Sequence, residues 1–187
     1  MKSLLYAVLL VMFGHVLAAD DVRARVAKPS HVALTSEIDP DKGIYGIPFG
    51  TSEDGFVKRV GKPTGYLRLN SAETVLVYGR NHAFLFDGSR LRGVLISERI
   101  FDWELTRSLS AVTAFDGIRW RLNNGIAPEM SLTEVKKVLG STLNAERYRY
   151  TYRTKKAEVE LSFSHYTNEG DSDDSFKVAS VFIKAKD

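Results

Sequence analysis

The side chains that could do chemistry are few and widely spaced. The 187-residue chain has 4 His and no Cys. His15 sits in an apolar leader, and His31, His82 and His165 are too far apart in sequence for the short ligand spacings of a zinc site. Without Cys there is no disulfide, no thiolate nucleophile and no Cys-bound metal. A Ser–His–Asp site can be assembled from distant residues, but the chain contains no Gly-x-Ser-x-Gly elbow to mark a nucleophile. The acidic run Glu169–Asp174 invites a calcium reading. An EF-hand loop started at Asp171 would need Gly at position 176 and Glu at position 182, and both are Phe. A solvated hairpin loop is the expectation there. No Gly-rich phosphate loop is present. The expected catalytic, cofactor-binding and metal-binding sets are therefore all none, and the chain is not expected to be an enzyme.

Binding chemistry is better represented. In the run Arg147–Arg153, Tyr148, Tyr150 and Tyr152 alternate with Arg147, Arg149, Thr151 and Arg153. Period 2 puts the tyrosines on one face of a strand and the arginines on the other. Val159, Leu161 and Phe163 then alternate with Glu158, Glu160, Ser162 and Ser164. A two-residue turn at Lys155-Lys156 sets Arg153 opposite Glu158 and Thr151 opposite Glu160. That face is self-neutralising, and Arg149, Arg153, Glu158 and Glu160 are candidate partner contacts. Trp103 and Phe101 are the candidate apolar anchors, since aromatic residues dominate interface energetics. Trp120 shares a face with Ile118 and Leu122 and is expected in the core.

Positioning these residues takes a folded core, and composition allows one: 44% of residues are hydrophobic and 26% charged. The start, MKSLLYAVLLVMFGHVLAAD, has a basic residue, an apolar stretch from Leu4 to Leu17, and small residues at Ala18 and Ala19. This reads as a secretory signal over residues 1–19, too short for a spanning helix. The expected location is periplasmic or secreted, with no membrane span once the signal is removed. Removing Lys2 leaves 26 − 1 = 25 basic against 23 acidic residues, a net of +2. That near-neutral balance argues against nucleic acid as a partner. Residues 20–43 show no sustained period and read as an arm or linker, with a short strand at His31–Leu34.

Two helix signatures follow. Gly46–Gly61 and Gly125–Gly140 align without a gap at an offset of 79 residues, with identities at Gly46/Gly125, Ile47/Ile126, Ser52/Ser131, Lys58/Lys137 and Gly61/Gly140. In the second, Ser131 is an N-cap and Glu134 completes a capping box. Val135, Val138 and Leu139 form an apolar stripe, and Gly140 ends the helix. In the first, Ser52 or Thr51 caps, Phe56 and Val60 face inward, and Gly61 with Lys62-Pro63 stops the helix. Strands are expected after each helix: Thr74–Tyr78, His82–Phe86 and Arg90–Ser97 around an Asp87-Gly88 hairpin, then the Tyr/Arg strand, its partner, and Phe176–Lys184. The expected class is α+β: two tandem units, each a short helical segment on an antiparallel meander, able to share one sheet. The expected limits are 44–97 for the first unit, 98–123 for an inter-unit segment with a strand at Ile118–Leu122, and 124–187 for the second.

Phe49-Gly50-Thr51-Ser52 with Phe56-Val57 and Val60-Gly61 resembles the repeated helix signature of the β-lactamase-inhibitor-protein family. Met130-Ser131-Leu132-Thr133-Glu134-Val135 through Val138-Leu139-Gly140 is similar to the signature of the small lipoprotein of the outer-membrane β-barrel assembly machinery. The resemblance covers Gly46 to Lys184. It implies a helical segment packed on an antiparallel sheet, two units in tandem as in the inhibitor, and a rigid sheet used to bind protein. Unlike those families, this chain has neither disulfides nor a lipidated Cys. The resulting expectation is an exported, non-enzymatic binding module for an envelope or extracellular protein. The alternatives are a small-molecule or lipid carrier and, behind it, a hydrolase.

Overall fold

The computed structural model describes residues 34–97, 113–140, 144–146, 149–165 and 172–186. The expected signal segment, residues 31–33 of the expected first strand, the segment holding Phe101 and Trp103, Tyr148, and residues 169–171 of the acidic run lie outside the described residues. The described chain is mixed α+β and mostly strand.

Two α-helices are present among the described residues: α1, Glu53–Val60, and α2, Leu132–Leu139. Their ends follow from the caps. Ser52 Oγ accepts from the Gly55 N–H at 3.2 Å. Ser131 and Glu134 form the full capping box, with the Ser131 N–H donating to Glu134 Oε2 at 2.7 Å and the Glu134 N–H to Ser131 Oγ at 3.2 Å. The bonds that Ser131 donates hold the Glu134 carboxyl below its ordinary range. Gly140 closes α2 at φ 56°, a conformation that a side chain would strain. The stripe of α2 needs a correction. Leu132 and Val135 are buried and Leu139 packs against the core, whereas Val138 is 42% exposed. At 3.6 residues per turn Leu132 and Leu139 fall on one side of Val135 and Val138 on the other, so the core arc excludes it.

The strands are β1 (Glu37–Asp39), β2 (Gly43–Ile44), β3 (Ile47–Pro48), β4 (Gly65–Arg68), β5 (Glu73–Tyr78), β6 (His82–Asp87), β7 (Arg90–Ser97), β8 (Arg121–Leu122), β9 (Asn144–Glu146), β10 (Arg149–Arg153), β11 (Ala157–His165) and β12 (Phe176–Ala185). Eight of them form one antiparallel sheet in the order β4-β5-β6-β7-β12-β11-β10-β9. The seam is β7 against β12, and strand order runs outward from it as 7-6-5-4 on one side and 12-11-10-9 on the other. Gly93 is required at this seam, because a Cβ there would lie 2.5 Å from the Ile183 carbonyl oxygen.

The β6–β7 hairpin turns on Gly88-Ser89, with φ 52° and 60° and Asp87 paired to Arg90. This is the geometry of a two-residue hairpin that matches strand twist. The β10–β11 hairpin turns around Lys155-Lys156 with Arg153 opposite Glu158 and Thr151 opposite Glu160, the register expected from the alternation.

A second, four-stranded sheet has the order β3-β2-β1-β8, with β1 parallel to β8. Its strands β1 and β2 start within the stretch whose sequence shows no period. They are too short to display one, yet Ile38, Ile44 and Ile47 are fully buried. Of the expected Ile118–Leu122 strand only Arg121–Leu122 pairs, while Trp120 is buried in the core.

The core lies between the helices and one face of the large sheet. Phe56 of α1 sits 4.7 Å from Phe84, 5.5 Å from Phe86 and 5.8 Å from Tyr78, centroid to centroid. In the other half Val135, Tyr152, Val159, Leu161, Val181 and Ile183 belong to the same cluster.

Candidate functional site

Alternation defines the second face of the large sheet. Tyr152, Val159, Leu161 and Ile183 point to the helix-side core, so their neighbours Arg153, Glu158, Glu160 and Lys184 stand on the outer face. Registers chain these residues into rows crossing the sheet. One row runs Leu67, Val75, Leu85, Gly93, Lys184, Glu158, Arg153. The next runs Gly65, Val77, Ala83, Leu95, Phe182, Glu160, Thr151. Neither row has a polar side chain across β4–β7. The first turns polar beyond the seam at Lys184 and the second at Glu160.

The polar half carries the four charged residues expected there. Arg149 grips Glu160 as a fork: Nε donates to Oε1 and Nη2 to Oε2, both at 2.8 Å. The pair is diagonal, because Arg149 is registered opposite Ser162 and Thr151 opposite Glu160. A long guanidinium reaches one diagonal position, and the planar fork fixes both groups. Arg153 Nε lies 3.3 Å from Glu158 Oε2. Glu160 is the most enclosed of the four, with its side chain 15% exposed, whereas that of Arg153 is 70% exposed. The structure therefore brings Arg149, Arg153, Glu158 and Glu160 together on one face. Phe101 and Trp103 lie outside the described residues.

The apolar half is absent from the sequence expectation. Val75, Val77, Ala83 and Leu85 form a second cluster, separate from the main core, with Leu67, Leu69 and Leu95 packed against it. The signal for it was available: Thr74–Tyr78 and His82–Phe86 are continuous rather than alternating apolar runs, which marks strands buried on both faces. The four cluster residues are 3–5% exposed. The exposed large hydrophobics among the described residues, Tyr66 and Val138, are not on the outer face. Tyr66 pairs with Leu76, on the helix side, and Val138 is on α2. The accessible part of the outer face is thus the charged half together with an apolar border, Leu67, Leu95 and Phe182, which are half-buried.

His82, the histidine for which a hydrolase would need a carboxylate and a Ser, instead meets the Tyr45 hydroxyl, with Nε2 and Oη 2.9 Å apart and both residues buried. Its ring stacks on Phe115 at 5.1 Å and on Phe84 at 6.1 Å. Burial lowers the imidazole to about 4, against a smaller opposing pull from the Asp116 carboxylate. Burial also pushes the Tyr45 hydroxyl far up. The pair is neutral and closed in at pH 7. Tyr152, also raised by burial, bonds Asn124 at 3.3 Å. Asp173, in the short 3₁₀ turn Asp173–Ser175, pairs with Lys136 of α2. Among the described residues no group of three or more His, Cys, Asp or Glu could hold a metal ion, and no helix is long and apolar enough to cross a membrane.

Comparison of the chain with family models, with curated proteins and with solved structures finds no match.

Proposed function

We propose that this chain is an exported, non-enzymatic binding module that presents the outer face of its eight-stranded sheet to an envelope or extracellular protein. The observation that carries the reading is the ordered charge constellation Arg149–Glu160 and Arg153–Glu158, standing on a continuous sheet beside an apolar half. A rigid scaffold holding fixed charges suits recognition, because complementary charges set partner choice and register. Export rests on the leader at residues 1–19, which directs the chain to a periplasmic or secreted location.

The resemblance to the inhibitor-protein and assembly-lipoprotein families, and the tandem-unit reading within it, have support from matched backbone bonds. The Gly50 N–H donates to the Leu91 carbonyl and the Leu91 N–H to that of Thr51, both at 2.8 Å. Seventy-nine residues on from Gly50 and Thr51, Glu129 donates to Val178 at 3.0 Å and Val178 to Met130 at 2.9 Å. Ser52 and Ser131, the two N-caps, each bridge antiparallel to the start of their half's seam strand, at Arg90 and Lys177. A carrier would instead need an apolar cavity between helix and sheet. Around Phe56 that space holds Tyr78, Phe84, Phe86 and Phe115.

The test is capture of a partner from envelope extract by the immobilised chain Asp20–Asp187, beside Arg149→Glu, Arg153→Glu and Trp103→Ala. One dominant protein, retained by the wild type and lost with the Arg149 and Arg153 reversals, is expected. Retention that ignores both reversals sinks the charged-face assignment, and no specific protein in any arm sinks the binding-module reading.

A further inference from the structure

We infer that the four-stranded sheet is an acid-released buckle: protonation of His82 and of Asp41 opens residues 37–48 away from the large sheet while the large sheet stays folded.

Two hydrogen-bonded links tie this segment to the two halves of the large sheet, and both titrate. The first joins Tyr45, in the β2–β3 turn, to His82 on β6 at 2.9 Å. Tyr45 holds φ 55°, a left-handed conformation that an aromatic residue seldom adopts. Such strain persists where the surroundings over-determine it, and here Tyr45 is fully buried with its hydroxyl on His82. The second link joins Asp41, in the β1–β2 turn, to the β10–β11 hairpin. Asp41 Oδ1 accepts from Thr154 Oγ1 and from the Lys156 N–H, both at 2.6 Å.

The groups that face each link set the direction of the effect. His82 meets the Tyr45 hydroxyl, the rings of Phe84 and Phe115, and the Asp116 charge, whose attraction is smaller than the burial penalty. With a folded value of about 4 against an ordinary 6.5, the neutral imidazole belongs to the docked state. Its contribution is full above pH 6.5 and is lost as pH falls to about 4. Asp41 is faced by Thr154, Lys156 and the Lys155 N–H, and its charge also acts on Lys42 and Tyr152. The Thr154 hydroxyl, the largest influence, and the two backbone N–H groups hold its carboxyl below the ordinary 3.8, against an opposing effect of burial. That contribution is present above 3.8 and lost as pH falls below it. Ile38, Ile44 and Ile47 anchor the segment at every pH, so the links set the pH response rather than docking as a whole. Protonating the first link alone raises the open population by at most about 300-fold, the ratio reached if opening returns the imidazole from about 4 to its ordinary 6.5.

Hydrogen exchange of the full chain tests this. Rates corrected for intrinsic pH dependence would be compared at pH 7, at pH 4 and at about pH 3, below the ordinary Asp value, for residues 37–48 and for residues 74–97. Between pH 7 and pH 4 the first segment is expected to gain up to about 100-fold over the second. His82→Gln, whose amide oxygen can still accept from Tyr45, should remove most of that gain, and Asp41→Asn the part that develops at the lowest pH. Parallel gains in both segments overturn the inference, as does a full response retained in His82→Gln. Should that variant not fold, the wild-type imidazole titration decides by NMR. A midpoint below the ordinary 6.5 with the amide signals of residues 37–48, and not those of residues 74–97, shifting together with it supports the buckle, and a midpoint near 6.5 or no coupled change in residues 37–48 overturns it.

Discussion

At the scale of single residues, the structure depends on a few side chains with unusual surroundings. Phe56 is fully buried and ringed by Tyr78, Phe84, Phe86 and Phe115. Truncating it leaves a cavity that rigid neighbouring rings cannot fill. Phe56→Ala is expected to cost about 3–5 kcal/mol in urea unfolding. His82 is kept neutral by burial, so the folded state binds fewer protons than the unfolded chain between pH 6.5 and about 4. Equilibrium stability is expected to fall by about 3 kcal/mol across that window, and His82→Gln should flatten the profile. The Arg149–Glu160 fork is partly exposed, at 39% and 15%. A double-mutant cycle there is expected to return a coupling of about 0.5–1 kcal/mol, too small to make the pair a main source of stability.

At the scale of elements, both helices have only eight residues. Helices that short are marginal alone and rely on caps and on one buried face. Ser131 makes reciprocal bonds with Glu134, whereas Ser52 makes a single acceptor bond to Gly55. Ser131→Ala is therefore expected to cost about 1–2 kcal/mol and Ser52→Ala about half of that, read from paired melting curves. Equal losses would show that the second bond of the Ser131 hydroxyl, donated to Glu134 Oε2 at 3.0 Å, adds nothing, since the bond from the Ser131 backbone N–H survives in the variant. The hairpins are set in the same local way, by Gly88-Ser89 and by Lys155-Lys156.

At the scale of the molecule, the β7–β12 seam makes the sheet continuous. Ser97, Ile96, Leu95, Val94 and Gly93 pair there with Ser180, Val181, Phe182, Ile183 and Lys184. The approach at Gly93 is close enough that an added Cβ must displace the Ile183 carbonyl. Gly93→Ala is expected to lower stability by about 1–3 kcal/mol. Exchange protection should weaken first along residues 93–97 and 180–184. Protection lost first at the outer strands β4 or β9 would show that the seam is not the coupling element. The four-stranded sheet adds a second tie, reaching β6 through Tyr45 and the β10–β11 hairpin through Asp41.

Local chemistry was legible from sequence. Caps, helix stops, the two hairpin turns and the Arg153–Glu158 register depend on residues within a few positions of one another, and propensity with period 2 or 3.6 determines them. Period also indicated the class, α+β, and the helix-side face of β10 and β11. Four features needed the tertiary structure. Strands β1, β2, β3 and β8 are two or three residues long and exist because distant segments pair. The side of α2 that is buried depends on where the sheet lies, which excluded Val138. The His82–Tyr45 and Asp41–Thr154 bonds span 37 and 113 residues, and no local pattern encodes such a meeting. The division of the outer face into apolar and charged halves depends on which strands adjoin across the seam. Sequence determined what each strand could offer, and long-range pairing decided what stands beside it.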